Sequence, residues 1–349
     1  MNKFKITTTN SRNYFIDFLK TLAIIFVIVV NCSMVFAEAK GEDYLKYWCD
    51  IGIPFWAGQG VPIFMFVSGW LFVNWIEKKQ ITKISECYKL KDLCCKFLRF
   101  IVPFFIFIIS KIVVLGCVYG WTIQSFTKIR SGPGFYYISL VFQIILICPL
   151  IYFLIKKYRF KALVGIFVFV TMCDVIIYFA NIDDSDYKYV IFRFAFMISC
   201  GTYAGITRNE KPHIYTYIFN TFCFAVGITL LALTYYANVP MHVNSQWFKY
   251  CSIANLYPAP LLWVLTRNFN MKKQKFWSLF GQSTFNVFLC QNIWFTFTIE
   301  VLFFPELLFV QIMVDELILI SIGILFWIPE HKLTQLICYQ IQNFKVSKK

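Results

Sequence analysis

The chain has 349 residues, of which 59% are hydrophobic, 20% aromatic and only 15% charged. A soluble domain carries about 45–50% apolar and about 25% charged residues, so this composition excludes an ordinary soluble globular fold. The formal net charge of +15 would suit a nucleic-acid binder. No basic patch is interleaved with a soluble fold, however, so nucleic acid is set aside as a partner and the basic residues are read as markers of loops at a membrane.

The apolar residues collect in long runs between short charged loops, and a helix that crosses a bilayer needs about 20 of them. Ten spans are predicted, near residues 14–36, 51–75, 97–119, 134–155, 162–181, 188–207, 213–236, 247–266, 276–298 and 303–328. Together they predict an all-α, polytopic transmembrane bundle that fills residues 1–349 as a single membrane domain. The sequence has no repeat, low-complexity tract or soluble linker. The first span is too long and too charged for a removable signal peptide, and it lacks a small-residue cleavage site.

The loops between these spans alternate in charge. Segments 1–13, 76–99, 156–161, 208–212, 267–275 and 329–349 hold twenty-four Lys and Arg. Segments 37–50, 120–133, 182–188, 237–246 and 299–302 hold five. Lys and Arg concentrate on the cytoplasmic side, so the first set is predicted inside, with both termini. Strict alternation requires an even number of spans. The outer loops carry Glu38, Glu42, Asp43, Asp50, Asp183, Asp184 and Asp186, read as solvated charges rather than metal ligands. The thirteen cysteines lie mostly in apolar runs, as Cys148, Cys200, Cys223 and Cys290 do. They form no CxxC pair and no Cys/His cluster with metal spacing. They are predicted to be packed free thiols, and no metal is expected.

Eight charges fall within the spans: Lys20, Lys111, Arg193 and Lys249 against Asp17, Asp174, Asp315 and Glu316. A charge at mid-bilayer costs about 2.5–3.5 kcal/mol on insertion scales, so such residues face the bundle interior, pair, or line a watery cavity. Asp17 and Lys20 are three apart near the cytoplasmic rim. They read as an interfacial ion pair with a snorkelling lysine or as part of a site. Asp315 and Glu316 are adjacent in the middle of the last span and point about 100° apart. One can face a cavity while the other pairs with another helix. Lys20 and Asn31 are eleven apart, which puts them on one helix face about 16 Å apart along the axis. That polar face would take a charged group at the rim and act deeper in the membrane. Alternatively, Asn31 only hydrogen-bonds a neighbouring helix.

Residues 15–31, FIDFLKTLAIIFVIVVN, resemble the first helix of membrane acyltransferase family 3. The family pattern is a hydrophobic residue, Asp, two residues, Arg or Lys, ten residues and His. Asp17 and Lys20 match it, and Asn31 stands at the histidine position. Further similarities follow in order. Residues 60–72, GVPIFMFVSGWLF, contain the Ser68–Gly69 pair of the second-helix segment. Residues 99–103, RFIVP, and 134–149, GFYYISLVFQIILICP, resemble the next two segments. In residues 281–291, GQSTFNVFLCQ, Gly281, Thr284, Phe285, Phe288 and Leu289 fit the late-helix pattern. Gln291 stands at its histidine position.

The resemblance implies transfer of an acyl group, typically acetyl, from cytoplasmic acyl-CoA to a hydroxyl of a surface or exported polysaccharide. It also implies a bacterial plasma membrane. Lys20, Arg99 and Arg193 would hold the CoA. Asn31, Ser68 and Gln291 would line the transfer cavity and stabilise the oxyanion. Asp17 and Ser68 would contact substrate. The family histidine is the expected proton handler, and an amide can only hydrogen-bond. His213, His242 and His331 replace neither position. Asp315 or Glu316 would therefore be the substitute base. Cys32, beside Asn31, reads as an acyl carrier or as a packed thiol. Two other readings stand: a non-catalytic relative acting in polysaccharide export or flipping, and a transporter. No inverted repeat supports the transporter.

Overall fold

The computed structural model describes residues 13–343 except 41–55, 123–135, 181, 183–186, 188, 213, 237–252, 270, 272–273 and 298–306. The charges Glu42, Asp43, Asp50, Asp183, Asp184, Asp186 and Lys249 and the histidines His213 and His242 lie outside the described residues. So does the Glu38 side chain.

Among the described residues the chain is helical with short connections. The helices are α1 (Tyr14–Lys40), α2 (Gly60–Lys79), the one-turn α3 (Ile84–Cys87), α4 (Leu90–Tyr119), α5 (Tyr136–Tyr158) and α6 (Phe160–Phe179). They continue with α7 (Phe192–Ile206), α8 (Ile214–Tyr236), α9 (Pro258–Asn268), α10 (Lys275–Phe297) and α11 (Leu308–Asn343). Apart from α3, each falls on one of the ten expected spans. Seven of them, α1, α2, α4, α5, α6, α8 and α11, are long and apolar enough to cross a membrane. Helices α7 and α9 have only 15 and 11 residues, short of the bilayer core. Helix α10 has 23 residues, but its apolar run is interrupted by Gln282, Asn286, Gln291 and Asn292. Four edges differ most from expectation: α2 begins at Gly60 rather than near 51, and α9 at Pro258 rather than near 247. Helix α4 begins at Leu90 rather than near 97, and α11 runs past Pro329 to Asn343 rather than stopping near 328.

Described parts of five Lys/Arg-rich segments meet at one end of the bundle, beside the start of α1. Glu77 pairs with Arg208, and Arg159 with Glu210 at 3.0 Å. Arg267 donates to the Thr207 carbonyl at 2.8 Å. Phe269 stacks on Phe15 with ring centroids 6.0 Å apart. Lys91 reaches the Gln342 carbonyl at 3.4 Å. These described segments thus share one end, called the basic end below.

Helix α1 packs against α2, α10 and α11, and α7 packs most extensively on α2. Glycine allows the close α2–α7 crossing from both sides. A Cβ on Gly201 would lie 1.8 Å from the Phe66 carbonyl oxygen, and one on Gly69 would lie 2.1 Å from that of Ile198. Small residues let membrane helices approach this closely. The outward faces of α6 and α8 carry exposed Met172, Ile176, Phe179, Ile214, Ile218 and Phe222. Apolar side chains on every face are what a helix shows when lipid covers it.

Candidate active site

Helices α1 and α10 both start at the basic end and run side by side. Gly281 of α10 sits against Asp17, where a Cβ would lie 2.7 Å from the Asp17 Cβ. Farther along, Asn31 Nδ2 donates to Gln291 Oε1 at 3.4 Å. The polar face expected on α1 is thus laid along α10. The two motif positions, 260 residues apart in sequence, meet inside the bundle. Gln291 is fully buried, and its Nε2 has no hydrogen-bond partner among the described residues. Asn31 is half-buried.

Helix α11 closes this layer with Asp315, which is 1% exposed. Its Oδ2 accepts from the Cys32 thiol at 2.9 Å. Its Oδ1 accepts from Trp294 Nε1 and from Gln311 Nε2, both at 2.9 Å. A buried charge is tolerable when its lone pairs are filled in this way. Glu316 points elsewhere on α11. It is half-buried and has no partner among the described residues. The adjacent acids therefore divide as their 100° offset requires, and Asp315 is the one that joins the layer. Lys111 of α4 enters from the fourth side, fully buried, and donates to Asn292 Oδ1 at 2.8 Å.

A second polar region lies toward the basic end, between α4, α10 and α11. It is a cavity of about 450 Å³ lined by Arg99, Gln282, Asn286, Glu330 and His331, among others. Glu330 accepts from Asn286 Nδ2 at 3.1 Å and from the Thr334 hydroxyl at 2.5 Å. The His331 ring stacks on Trp327 with centroids 4.8 Å apart. Gln282 and Gln291 are nine residues apart on α10, so the cavity and the buried layer are separated by about 14 Å along one helix.

The remaining candidate residues fall elsewhere. Lys20 bonds Asp17 at 3.4 Å, as the ion-pair reading expected. It does not line the Arg99 cavity, because neighbouring Gly281 and Gln282 turn to α1 and to the cavity respectively. Ser68 donates to the Phe64 carbonyl of its own helix at 2.8 Å, so its hydroxyl serves the backbone rather than the layer. The structure separates Arg193 from the other cations. It lies at the start of α7, fifteen residues and about 20 Å from Arg208 at the basic end. Its guanidinium lies 5.7 Å from the Tyr187 ring, whose hydroxyl donates to Asp174. Arg193 thus closes the far end of the bundle and does not join Arg99.

Sequence reasoning missed Trp294, Gln311 and Asn292 around the layer and Asn286 and Glu330 around the cavity. One signal was available for Gln311, which precedes Asp315 by four residues on the same face.

A family model described as an acyltransferase domain matches residues 13–328. The chain belongs to this family of membrane acyltransferases. The match spans both the buried layer and Arg99, and it stops just short of Glu330. No curated protein and no solved structure matches the chain.

Proposed function

We infer that this membrane acyltransferase takes its acyl group, acetyl in the simplest case, from acyl-CoA in the cytoplasm. It passes the group to a hydroxyl of a surface or exported glycan at a bacterial plasma membrane. The observation that carries this reading is the meeting of Asn31 and Gln291 over buried Asp315. The amides donate hydrogen bonds where an oxyanion would form. The carboxylate supplies the proton acceptor that the amides cannot. Asp315 is the base in this reading, and Glu316 is a bystander.

The Arg99 cavity takes the CoA nucleotide. Its size suits part of such a ligand, and a guanidinium binds phosphate as a two-pronged donor. Lys20 adds positive charge at the same end and holds no phosphate directly. The basic end is the cytoplasmic one in this reading, so the donor enters there. The acyl group is then carried inward toward the buried layer.

The test is transfer of label from acetyl-CoA to endogenous glycan in membranes that contain the chain. Wild type should transfer, and Asn31→Ala and Gln291→Ala should each lose at least ten-fold. Absence of transfer by the wild type with any of several acyl-CoA donors would refute the reading and leave a role in glycan export.

A further inference from the structure

We propose that Cys32 is a covalent acyl carrier, a thioester-forming nucleophile that relays the acyl group between the two sides of the membrane. The proposal rests on the acyl-CoA reading above and deepens it.

Three observations bear on it. First, the Cys32 thiol is bonded to a carboxylate, Asp315 Oδ2, at 2.9 Å, and both groups are buried. A thiol becomes a nucleophile when a neighbouring base takes its proton. Here the base is in turn fixed by Trp294 and Gln311, which is the orienting third group that such pairs require. Second, a buried amide donor stands in the same layer with no partner among the described residues. Gln291 Nε2 is carried one turn before Trp294 on the same face of α10. It is also held through its own Oε1 by Asn31, the residue next to Cys32. An unfilled donor in the layer that holds a nucleophile is suited to an anionic oxygen formed during attack. Third, the other described buried cysteines, Cys87, Cys95, Cys148 and Cys200, lack such a setting. No carboxylate is bonded to Cys148 or Cys200 among the described residues.

The steps balance as follows. Asp315 accepts the Cys32 proton as the sulfur attacks the acyl carbonyl of acyl-CoA. The carbon–sulfur bond to CoA then breaks, and the CoA thiolate takes that proton and leaves as the free thiol. In the second half, Asp315 accepts the proton of the acceptor hydroxyl as its oxygen attacks the Cys32 thioester. The carbon–sulfur bond breaks, and the Cys32 sulfur recovers the proton. In each half Gln291 Nε2 donates to the tetrahedral oxyanion. No oxidant or metal enters. Cys32 lies twelve residues beyond Lys20 on α1, about 18 Å along the axis from the basic rim. A carrier at that depth lets CoA stay on one side while the acceptor approaches from the other.

The test uses the full chain in lipid nanodiscs, incubated with radiolabelled acetyl-CoA and no acceptor, then denatured. The expected result is label on the protein that neutral hydroxylamine removes, as it does thioesters. Peptide mapping should place it on Cys32. Cys32→Ala should carry less than a tenth of that label, and Cys148→Ala should carry all of it. Cys32→Ser keeps a hydrogen-bonding side chain of similar size and guards against misfolding. It should either trap a hydroxylamine-resistant ester or remain unlabelled, with acceptor transfer at least ten-fold down and a melting temperature near that of the wild type. Full transfer by Cys32→Ala or Cys32→Ser would overturn the carrier while leaving the acyl-CoA reading intact. So would wild-type transfer with the label mapped to another residue. Failure of the wild type to transfer from any acyl-CoA would overturn both.

Discussion

Two parts of the bundle are held together by opposite means. Where α1, α10 and α11 meet, polar side chains bond across helices: Asn31 to Gln291, Cys32 and Trp294 to Asp315, and Asn286 to Glu330. Where α2 meets α7, backbone meets backbone at Gly69 and Gly201. The hydroxyls of Ser68, Ser199 and Thr202 each turn back to a carbonyl four residues earlier on their own helix. In a bilayer a polar atom must find its partner within the protein. On α2 and α7 these hydroxyls find that partner on their own helix, and the Trp70 indole N–H of α2 is a buried donor without a partner among the described residues. Around α10 the bonds run between helices, and the Gln291 Nε2 donor, set among them, has no partner among the described residues. The first region has the makings of chemistry and the second of a rigid wall.

The largest effect is expected in the wall. Gly201→Leu would place a Cβ within 1.8 Å of the Phe66 oxygen, which is backbone and cannot rotate away. Overpacking costs about 1–3 kcal/mol and occasionally more. Here two helices must separate, so the expected outcome is loss of the folded monodisperse species on size-exclusion chromatography in detergent. A Gly201→Leu protein that melts like the wild type would break the comparison at its structural half.

The next effect separates the adjacent acids. Asp315→Asn should lower acyl transfer by about 10²–10⁴-fold, the range of general-base contributions. Its melting temperature should change little, because the amide oxygen can still accept from Trp294 and Gln311. Glu316→Gln should stay within a few-fold of wild type. Equal losses in the two variants, measured as initial rates at matched protein level, would mean that burial and partners do not choose between them.

The division between these acids marks how far the sequence could be read. Hydropathy and charge alternation located the helices and their basic end, because both are one-dimensional patterns set by the bilayer. Motif spacing found Asn31 and Gln291 because the family pattern fixes positions along the chain. It could not say that they touch, since that depends on how α1 and α10 are rotated toward each other. For the same reason Trp294, Gln311 and Asn292 were invisible: a polar residue in an apolar run announces itself, but its partner on another helix does not. Arg193 was grouped with Arg99 by chemistry alone, and the direction of α7 puts the two at opposite ends. The extension of α11 to Asn343 was missed because Pro329 and the polar residues after it read as a terminus. The helix tolerates that proline and carries Glu330 and His331 into the cavity.

A smaller effect is expected at the cavity mouth. Arg99→Ala removes a charge-assisted contact to phosphate, worth about 1.5–3 kcal/mol. The KM for acyl-CoA should rise roughly ten-fold or more with kcat nearly unchanged. Lys20→Ala should raise it less, since Lys20 is already committed to Asp17 and lies outside the cavity. Steady-state kinetics over a range of acetyl-CoA concentrations check both. A larger effect from Lys20 would move the donor site to the α1 side of α10.

The smallest effect belongs to Ser68. Its hydroxyl donates to the Phe64 carbonyl at 2.8 Å, an intrahelical bond that contributes little and bends helices slightly. Alanine has the better helix propensity and fills the same space without the hydroxyl. Ser68→Ala should therefore leave stability within about 0.5 kcal/mol and transfer unchanged. The informative outcome is the split between the two measurements. Lost transfer at an unchanged melting temperature would show that the hydroxyl leaves Phe64 when substrate arrives, and it would place part of α2 on the chemical side of the divide. Unchanged transfer would confine the chemistry to the α1, α10 and α11 layer with Lys111 beside it.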